Sequence, residues 1–332
     1  MLKEEISVGD FLFGYFSDDK KVRLSASGGL CTAISEVVIE KMHGVVFGAA
    51  YSSDFKYVEY VVAENVKQLS KMKGSKYISA KKQIIVNKVS KSVYDEVIKY
   101  LENNVPVVFV GLGCDVAALY KKCELKDINI KNLYTIDLIC HGTTIEKVHT
   151  DYIEWLQKKF KSKVTSFSVR YKKKGWVPPY VHAEFVNGKI YEHNFYKTDY
   201  GKAFSKIARI GCYACPFKGD NHKADITAGD YWGMNSSMPL YNKNGVSLCS
   251  INSTKGIKLI ELLDNEQFIY SLADKKLALA NNPMYLSNRK KDDKYNQFCD
   301  DLKKKNLFYA VVHYYGFIKG LYWYIKDTLD KE

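Results

Sequence analysis

The chain has 332 residues, 46% apolar and 26% charged, a composition that suits one large globular domain or two modest ones and argues against wholesale disorder. No run reaches the roughly 20 uninterrupted apolar residues of a membrane-spanning helix, and the opening MLKEEISVGDFLFGYF lacks the basic-then-apolar order of a signal peptide, so a cytoplasmic protein is expected. The net charge of +13 is spread over separate lysine clusters at Lys20-Lys21, Lys172 to Lys174 and Lys303 to Lys305. No nucleic-acid motif accompanies them, so a solvated basic surface or an acidic partner is expected, and no nucleic acid.

The N-terminal half alternates helix and strand. Ser27 to Met42 is predicted as a helix with Leu30, Ile34, Val37, Val38 and Met42 on its apolar side, ended by Gly44. Val45 to Tyr51 and Tyr57 to Ala63 follow as strands, then a helix near Val93 to Leu101 and a buried strand from Val105 to Val110. A helix from about Val116 and a strand from Asn132 to Ile139 come next. Thr143-Thr144-Ile145-Glu146 reads as a capping box opening a helix that runs to about Phe160. Such alternation predicts an α/β fold with a largely parallel core sheet.

Beyond Phe160 the pattern changes. Val164 to Tyr171 and the pair flanking Asn187-Gly188, a type I′ hairpin signal, predict an antiparallel extension. A helix before Arg209, a strand from Gly245 to Asn252 and a helix near Gly256 to Leu263 complete this part. The expected organisation is residues 1–160 as an α/β N-terminal part, 161–270 as a C-terminal part with antiparallel strands, and 271–332 as a helical, aromatic-rich tail. In that tail Leu307 to Ile325 places Phe308, Val312, Tyr315, Lys319 and Tyr322 on one helical face. It suits docking on the protein's own core, on a partner or at a membrane surface, with the protein's own core expected.

Eight cysteines in a cytosolic chain are expected to be thiols or metal ligands rather than disulfides. Cys212-Tyr213-Ala214-Cys215-Pro216 brings two sulfurs to one metal from a single turn. Cys114 follows the predicted strand ending at Val110, and Cys140 the strand ending at Ile139. Both therefore fall at carboxyl ends of parallel strands, where open α/β sheets form their binding crevice. Four thiolates there fit a [4Fe-4S] cluster, and a four-cysteine zinc site satisfies the same count. Cys31, Cys123, Cys249 and Cys299 read as structural, Cys123 and Cys299 from polar stretches. His141 beside Cys140 reads either as a structural histidine or as a group that tunes a cluster or passes a proton.

Three segments look like ligand sites. Ser25-Ala26-Ser27-Gly28-Gly29 opens the first helix, where backbone N–H groups attract a phosphate or a serine simply caps the turn. Gly74-Ser75-Lys76-Tyr77-Ile78-Ser79 offers a cation, a ring and hydroxyls to a phosphorylated planar cofactor. Asp225 to Gly233, DITAGDYWG, gathers carboxylates and aromatics in a predicted loop.

Taken together and in this order, SASGG, GSKYISA, GLGCD, DLICHG, Gly175-Trp176, CYACPF, DITAGDYWG and Lys255-Gly256 resemble the coenzyme F-420 hydrogenase/dehydrogenase beta-subunit family in its bacterial form. The resemblance runs from about Arg23 to Leu263. It implies an oxidoreductase subunit with FAD and a [4Fe-4S] cluster, passing electrons between an iron–sulfur donor and a small-molecule acceptor. Cys114, Cys140, Cys212 and Cys215 would be the cluster ligands, and Ser25, Ser27, Gly28, Gly29, Lys76, Tyr77 and Ser79 would line the flavin site. The chain departs from the family pattern at Ala26, Gly113 and Asp115, and it lacks the ferredoxin-like run of clustered cysteines found in many relatives. The implied donor is therefore a separate ferredoxin or an iron–sulfur partner subunit. The alternative from another class is a non-catalytic zinc or iron–sulfur interaction module of a larger assembly.

Overall fold

A computed structural model describes residues 5–316. The first part of the chain forms β1 (Phe11–Phe16), α1 (Asp19–Leu24), α2 (Leu30–Met42), β2 (Val45–Tyr51), β3 (Val58–Ala63), β4 (Lys81–Val86), β5 (Val89–Ser92) and α3 (Val93–Glu102). There follow β6 (Val107–Val110), α4 (Gly113–Leu125), β7 (Leu133–Leu138) and α5 (Glu146–Phe160). The second part adds β8 (Val164–Tyr171), β9 (Tyr180–Phe185), β10 (Ile190–Asn194), α6 (Asp199–Lys206), β11 (Ile226–Asp230), β12 (Ser247–Ile251), α7 (Thr254–Glu261) and β13 (Phe268–Ala273). Four short helices follow among the described residues: α8 (Lys275–Ala280), α9 (Pro283–Leu286), α10 (Tyr295–Lys304) and α11 (Leu307–Tyr315).

Ten strands make one mixed sheet in the order β13-β1-β12-β11-β7-β6-β2-β3-β4-β5. Its centre, β11-β7-β6-β2, is parallel. The runs VVFV and LYTIDL there are buried almost throughout, as strands covered on both faces must be. Pairs that are antiparallel except for β3–β4 flank this core, and β1 lies between β12 and β13. After α5 the chain leaves the large sheet, builds the antiparallel sheet β10-β9-β8, and returns with β11 to β13. The large sheet thus draws strands from both sides of residue 160.

Several local expectations change. Helix α2 ends on His43, which takes the left-handed conformation at φ 52°, while the Gly44 amide donates to the Val38 carbonyl at 3.0 Å. Helix α4 begins at Gly113 rather than near Val116, so Cys114 sits in its first turn. No capping box opens α5: Ile145 is the N-cap, and Thr144 is buried, its amide donating to the Tyr77 carbonyl at 3.0 Å. Tertiary pairing with Tyr77-Ile78 has taken the residue that the local pattern assigned to capping. The hairpin at Asn187-Gly188 is not type I′, since only Gly188 has positive φ, at 76°. The Gly188 amide donates to Phe185 O at 2.9 Å and the Phe185 amide to Lys189 O at 3.1 Å, which is a type I turn closed by a glycine bulge.

The segment from Asp225 is a central strand, not a loop. Asp225 is buried and receives the Thr135 amide and hydroxyl at 2.8 and 2.9 Å and the Ser253 hydroxyl at 2.6 Å, so it ties β11 to β7 and α7. Cys123, expected in a polar stretch, lies on the buried face of α4 with 1% exposure. Within α11 the core-facing residues are Leu307, Ala310, Val311, Val312 and Tyr314, whereas Phe308 is 43% exposed. The described part of the tail thus packs on the apolar cluster shared by α5, α6 and the three-stranded sheet, with Val312 and Tyr315 of the expected face turned inward and Phe308 turned out. Lys319, Tyr322 and the rest of that predicted face lie outside the described residues. Among the described residues no helix is long and apolar enough to cross a membrane.

Candidate functional site

A cleft of about 320 Å³ opens where the carboxyl ends of β6, β7 and β11 meet the start of α2 and the loop before β4. This is the position at which open α/β sheets bind ligands. Ser25, Ser27 and Gly29 line it from one side and Lys76 and Tyr77 from another, while Cys140 and His141 contribute from the end of β7. Gly28 and Ser79 are not part of the lining.

The α2 entry is fixed by close packing. A side-chain carbon on Gly28 would lie 2.2 Å from the Gly14 carbonyl oxygen, so only glycine lets this turn rest on β1. Gly29 has φ +100°, and a side-chain carbon there would meet the Phe16 ring at 2.5 Å. Both serine hydroxyls donate to carbonyls, Ser25 to Lys21 O at 2.8 Å and Ser27 to Val246 O at 2.7 Å. The Gly29 and Leu30 amides donate to the Ser247 hydroxyl at 3.1 and 3.4 Å. Lys172 holds the turn from behind, donating to Val22 O and Ser27 O at 2.7 and 2.8 Å, and burial pushes its amine down to about 7.

Lys76 donates to the carbonyls of Met72, Lys73 and Gly74 at 2.7, 2.9 and 3.1 Å. Burial pushes its pKa down to about 7, while those three acceptors favour the ammonium form. Beside it the Tyr77 ring stacks on Phe204, centroids 4.1 Å apart and 17° from parallel.

The sequence patterns did not disclose the charge pair of the cleft. Arg170 on β8 donates to Asp230 on β11 through both guanidinium nitrogens, at 2.8 and 3.1 Å, and Trp176 donates to the same carboxylate at 3.2 Å. Trp232 lies 5.3 Å from the Arg170 guanidinium carbon and stacks on Trp176 at 4.8 Å and 6°. Arg170, Asp230 and Trp232 all line the cleft. The only signal was an arginine within the apolar β8 pattern, obscured by the lysine run that follows it.

The four cysteines singled out by their spacing lie near one another beside the end of β7, and of the four Cys140 lines the cleft. A side-chain carbon on Gly113, next to Cys114, would touch Phe217 at 3.0 Å. Gly142, at φ +85°, packs against Cys212: the same construction puts its carbon 3.1 Å from Cys212 Cβ and 3.7 Å from Sγ. The loop carrying Cys212 and Cys215 therefore lies directly over the residues flanking Cys114 and Cys140. The Gly142 amide donates to Cys140 Sγ at 3.3 Å. Burial raises the Cys140 thiol to about 11, with Cys212 and Cys215 adding to it. Cys114 is exposed at its surface, and its thiol is held above its ordinary value by partial desolvation and Asp115, with Cys140 and Cys215 contributing. The four thus form one electrostatically linked group, and a bound metal would reverse these shifts by favouring thiolate. Among the described residues no three His, Cys, Asp or Glu side chains close around a point that would hold a single ion. One zinc needs its sulfurs about 3.8 Å apart, from Zn–S bonds of roughly 2.3 Å. Cys249, buried in β12, and Cys31 in α2 stand apart from this group.

The sequence profile for the C-terminal part of the beta subunit of coenzyme F-420 hydrogenase/dehydrogenase matches residues 106–275, just over half of the chain. The chain belongs to that family. The matched span holds all four converging cysteines and the Arg170–Asp230 pair, whereas the Ser25 to Gly29 and Gly74 to Ser79 segments precede it. Membership makes the chain a beta-subunit-like member of an oxidoreductase family. In fold it is similar to a chain of the F-420-reducing [NiFe] hydrogenase complex from Methanosarcina barkeri, with TM-score 0.52 and 17% identity over 85% of this chain and 93% of that one. No curated protein sequence matches it.

Proposed function

We propose that the chain is an oxidoreductase subunit that takes electrons from a reduced ferredoxin-like or partner-subunit iron–sulfur donor and delivers them to a small-molecule acceptor. Cys114, Cys140, Cys212 and Cys215 would hold a [4Fe-4S] cluster. Ser25, Ser27, Gly29, Lys76 and Tyr77 would hold FAD in the cleft, with Gly28 and Ser79 shaping its walls from outside the lining. When bound, the cluster supplies one-electron and the flavin two-electron chemistry.

The observation that carries this reading is that Cys140 belongs to both places. It lines the cleft, and through Gly142 and Lys218 it adjoins the loop of Cys212 and Cys215. The two groups would then share one wall at the end of β7. Lys76 and the positive end of the α2 dipole offer charge to phosphate, and the Tyr77–Phe204 stack offers a flat apolar surface. Anaerobically purified protein is expected to carry iron, sulfide and flavin together, with both absorption signatures. Protein that binds zinc and no flavin would overturn the proposal in favour of a metal-bound interaction module.

Lys76 gives this reading a pH dependence. Because its pKa sits near 7, flavin retention should weaken as pH rises through that value and the ammonium is lost. Lys76→Met should weaken retention at pH 6 and flatten the profile, as followed by flavin fluorescence released on dialysis. Identical profiles for the two proteins would remove Lys76 from the flavin site.

A further inference from the structure

We infer that Lys218 and Arg289 are the counter-charges of the cysteine site, and that they hold its cluster at a higher reduction potential than four thiolates alone would set. The inference rests on the ligand assignment above. Lys218 follows Cys215 by three residues and donates to Cys140 O at 2.7 Å and Met284 O at 2.6 Å, which pins its ammonium between the end of β7 and helix α9. Arg289 donates to Phe204 O and Ser205 O at 2.9 and 2.6 Å, at the end of α6 from which the Cys212 loop departs. Its neighbour Asn288 donates to Cys215 O at 3.0 Å. The segment from α9 to Arg289 is therefore fastened to the cysteine loops at several points, and it brings the second cation with it.

Both cations lie within electrostatic reach of the cysteines. Cys140, Cys212 and Cys215 all act electrostatically on Lys218, and Cys212 and Cys140 act on Arg289. The hydrogen-bond acceptors of both are neutral carbonyls. Half-burying a cation against neutral groups is unfavourable unless an anion lies nearby; Asp137 supplies one such charge to Lys218, and four thiolates would supply the rest. Taking up one electron adds one negative charge to the cluster, with no bond broken and no proton required. A fixed positive charge in a medium less polar than water stabilises the more negative state and so raises the potential. These residues touch neither substrate nor flavin and act by position.

The test is a dye-mediated redox titration of the full-length protein, with the midpoint read from cluster absorbance and electron paramagnetic resonance, and with iron content measured alongside. Lys218→Met and Arg289→Gln are each expected to shift the midpoint to lower potential with iron retained. Lys218→Arg should stay near the parent value, and Lys303→Met, on the exposed side of α10, should leave it unmoved. If Lys218→Met does not fold, Arg289→Gln and Lys218→Arg carry the comparison. Full iron content with an unchanged midpoint in the neutralised variants would overturn the inference and leave the ligand assignment standing. A parent protein that holds no cluster under anaerobic reconstitution would overturn both.

Discussion

Replacing Cys212 or Cys215 by serine is expected to strip most of the iron from anaerobically prepared protein, whereas Cys249→Ser keeps it. The contrast follows from placement. Cys212 packs on Gly142 beside Cys140, in a loop with no regular hydrogen-bonded partner strand, so a missing thiolate leaves one corner of the cluster open to water. Cys249 is 1% exposed on β12 between β1 and β11, where a hydroxyl costs some stability and nothing else. Cys114→Ser and Cys140→Ser should behave as the loop variants do. Iron and acid-labile sulfide per chain are the readouts. Equal iron in the Cys212, Cys215 and Cys249 variants would remove the ligand assignment and leave the thiols as ordinary side chains.

The second large effect is expected at Arg170. Arg170→Ala leaves the Asp230 carboxylate partly buried, with only the Trp176 indole to satisfy it. Removing one partner of a buried ion pair typically costs about 3–5 kcal/mol, and the guanidinium beside Trp232 is lost as well. Because Arg170 belongs to β8 and Asp230 to β11, the change also loosens the three-stranded sheet from the large one along the cleft wall. Denaturant unfolding should show the loss, and Arg170→Met with Asp230→Leu should recover part of it by replacing both charges. A single-variant loss below about 1 kcal/mol would mean that the pair is solvated in solution and does not clamp the two sheets.

What the chain order alone makes legible is whatever depends on neighbours in sequence. The helix of Leu30 and Ile34, the buried strands at Val107 and Leu133, and the glycines at the turn before α2 carry their own periodicity or backbone demand. Lys76 and Tyr77 were legible as a cation beside a ring. Arg170 was not, because its meaning lies in Asp230, 60 residues away. Thr143 and Thr144 carry a capping signature, yet the approach of Tyr77 overrode it. The DITAGD run reads as a turn by composition. Only the surrounding sheet turns its aspartates into anchors, Asp225 toward Thr135 and Asp230 toward Arg170. Lys218 and Arg289 escaped notice for the same reason, since their neighbours come from β7, α6 and α9.

The position of β1 bears on how the chain is made. FLFGYF is paired on one side by Ser247 to Ser250 and on the other by Phe268 to Ala273. A ribosome adding roughly 5–20 residues per second needs about 13–50 s to pass from Phe16 to Ala273. Throughout that interval an apolar, β-prone hexapeptide lacks at least one of its partner strands. Such a segment is a template for intermolecular pairing. The nascent chain is therefore expected to depend on holding chaperones, and polar replacements on β1 that lower final stability should still raise the yield of soluble protein when synthesis outpaces their supply.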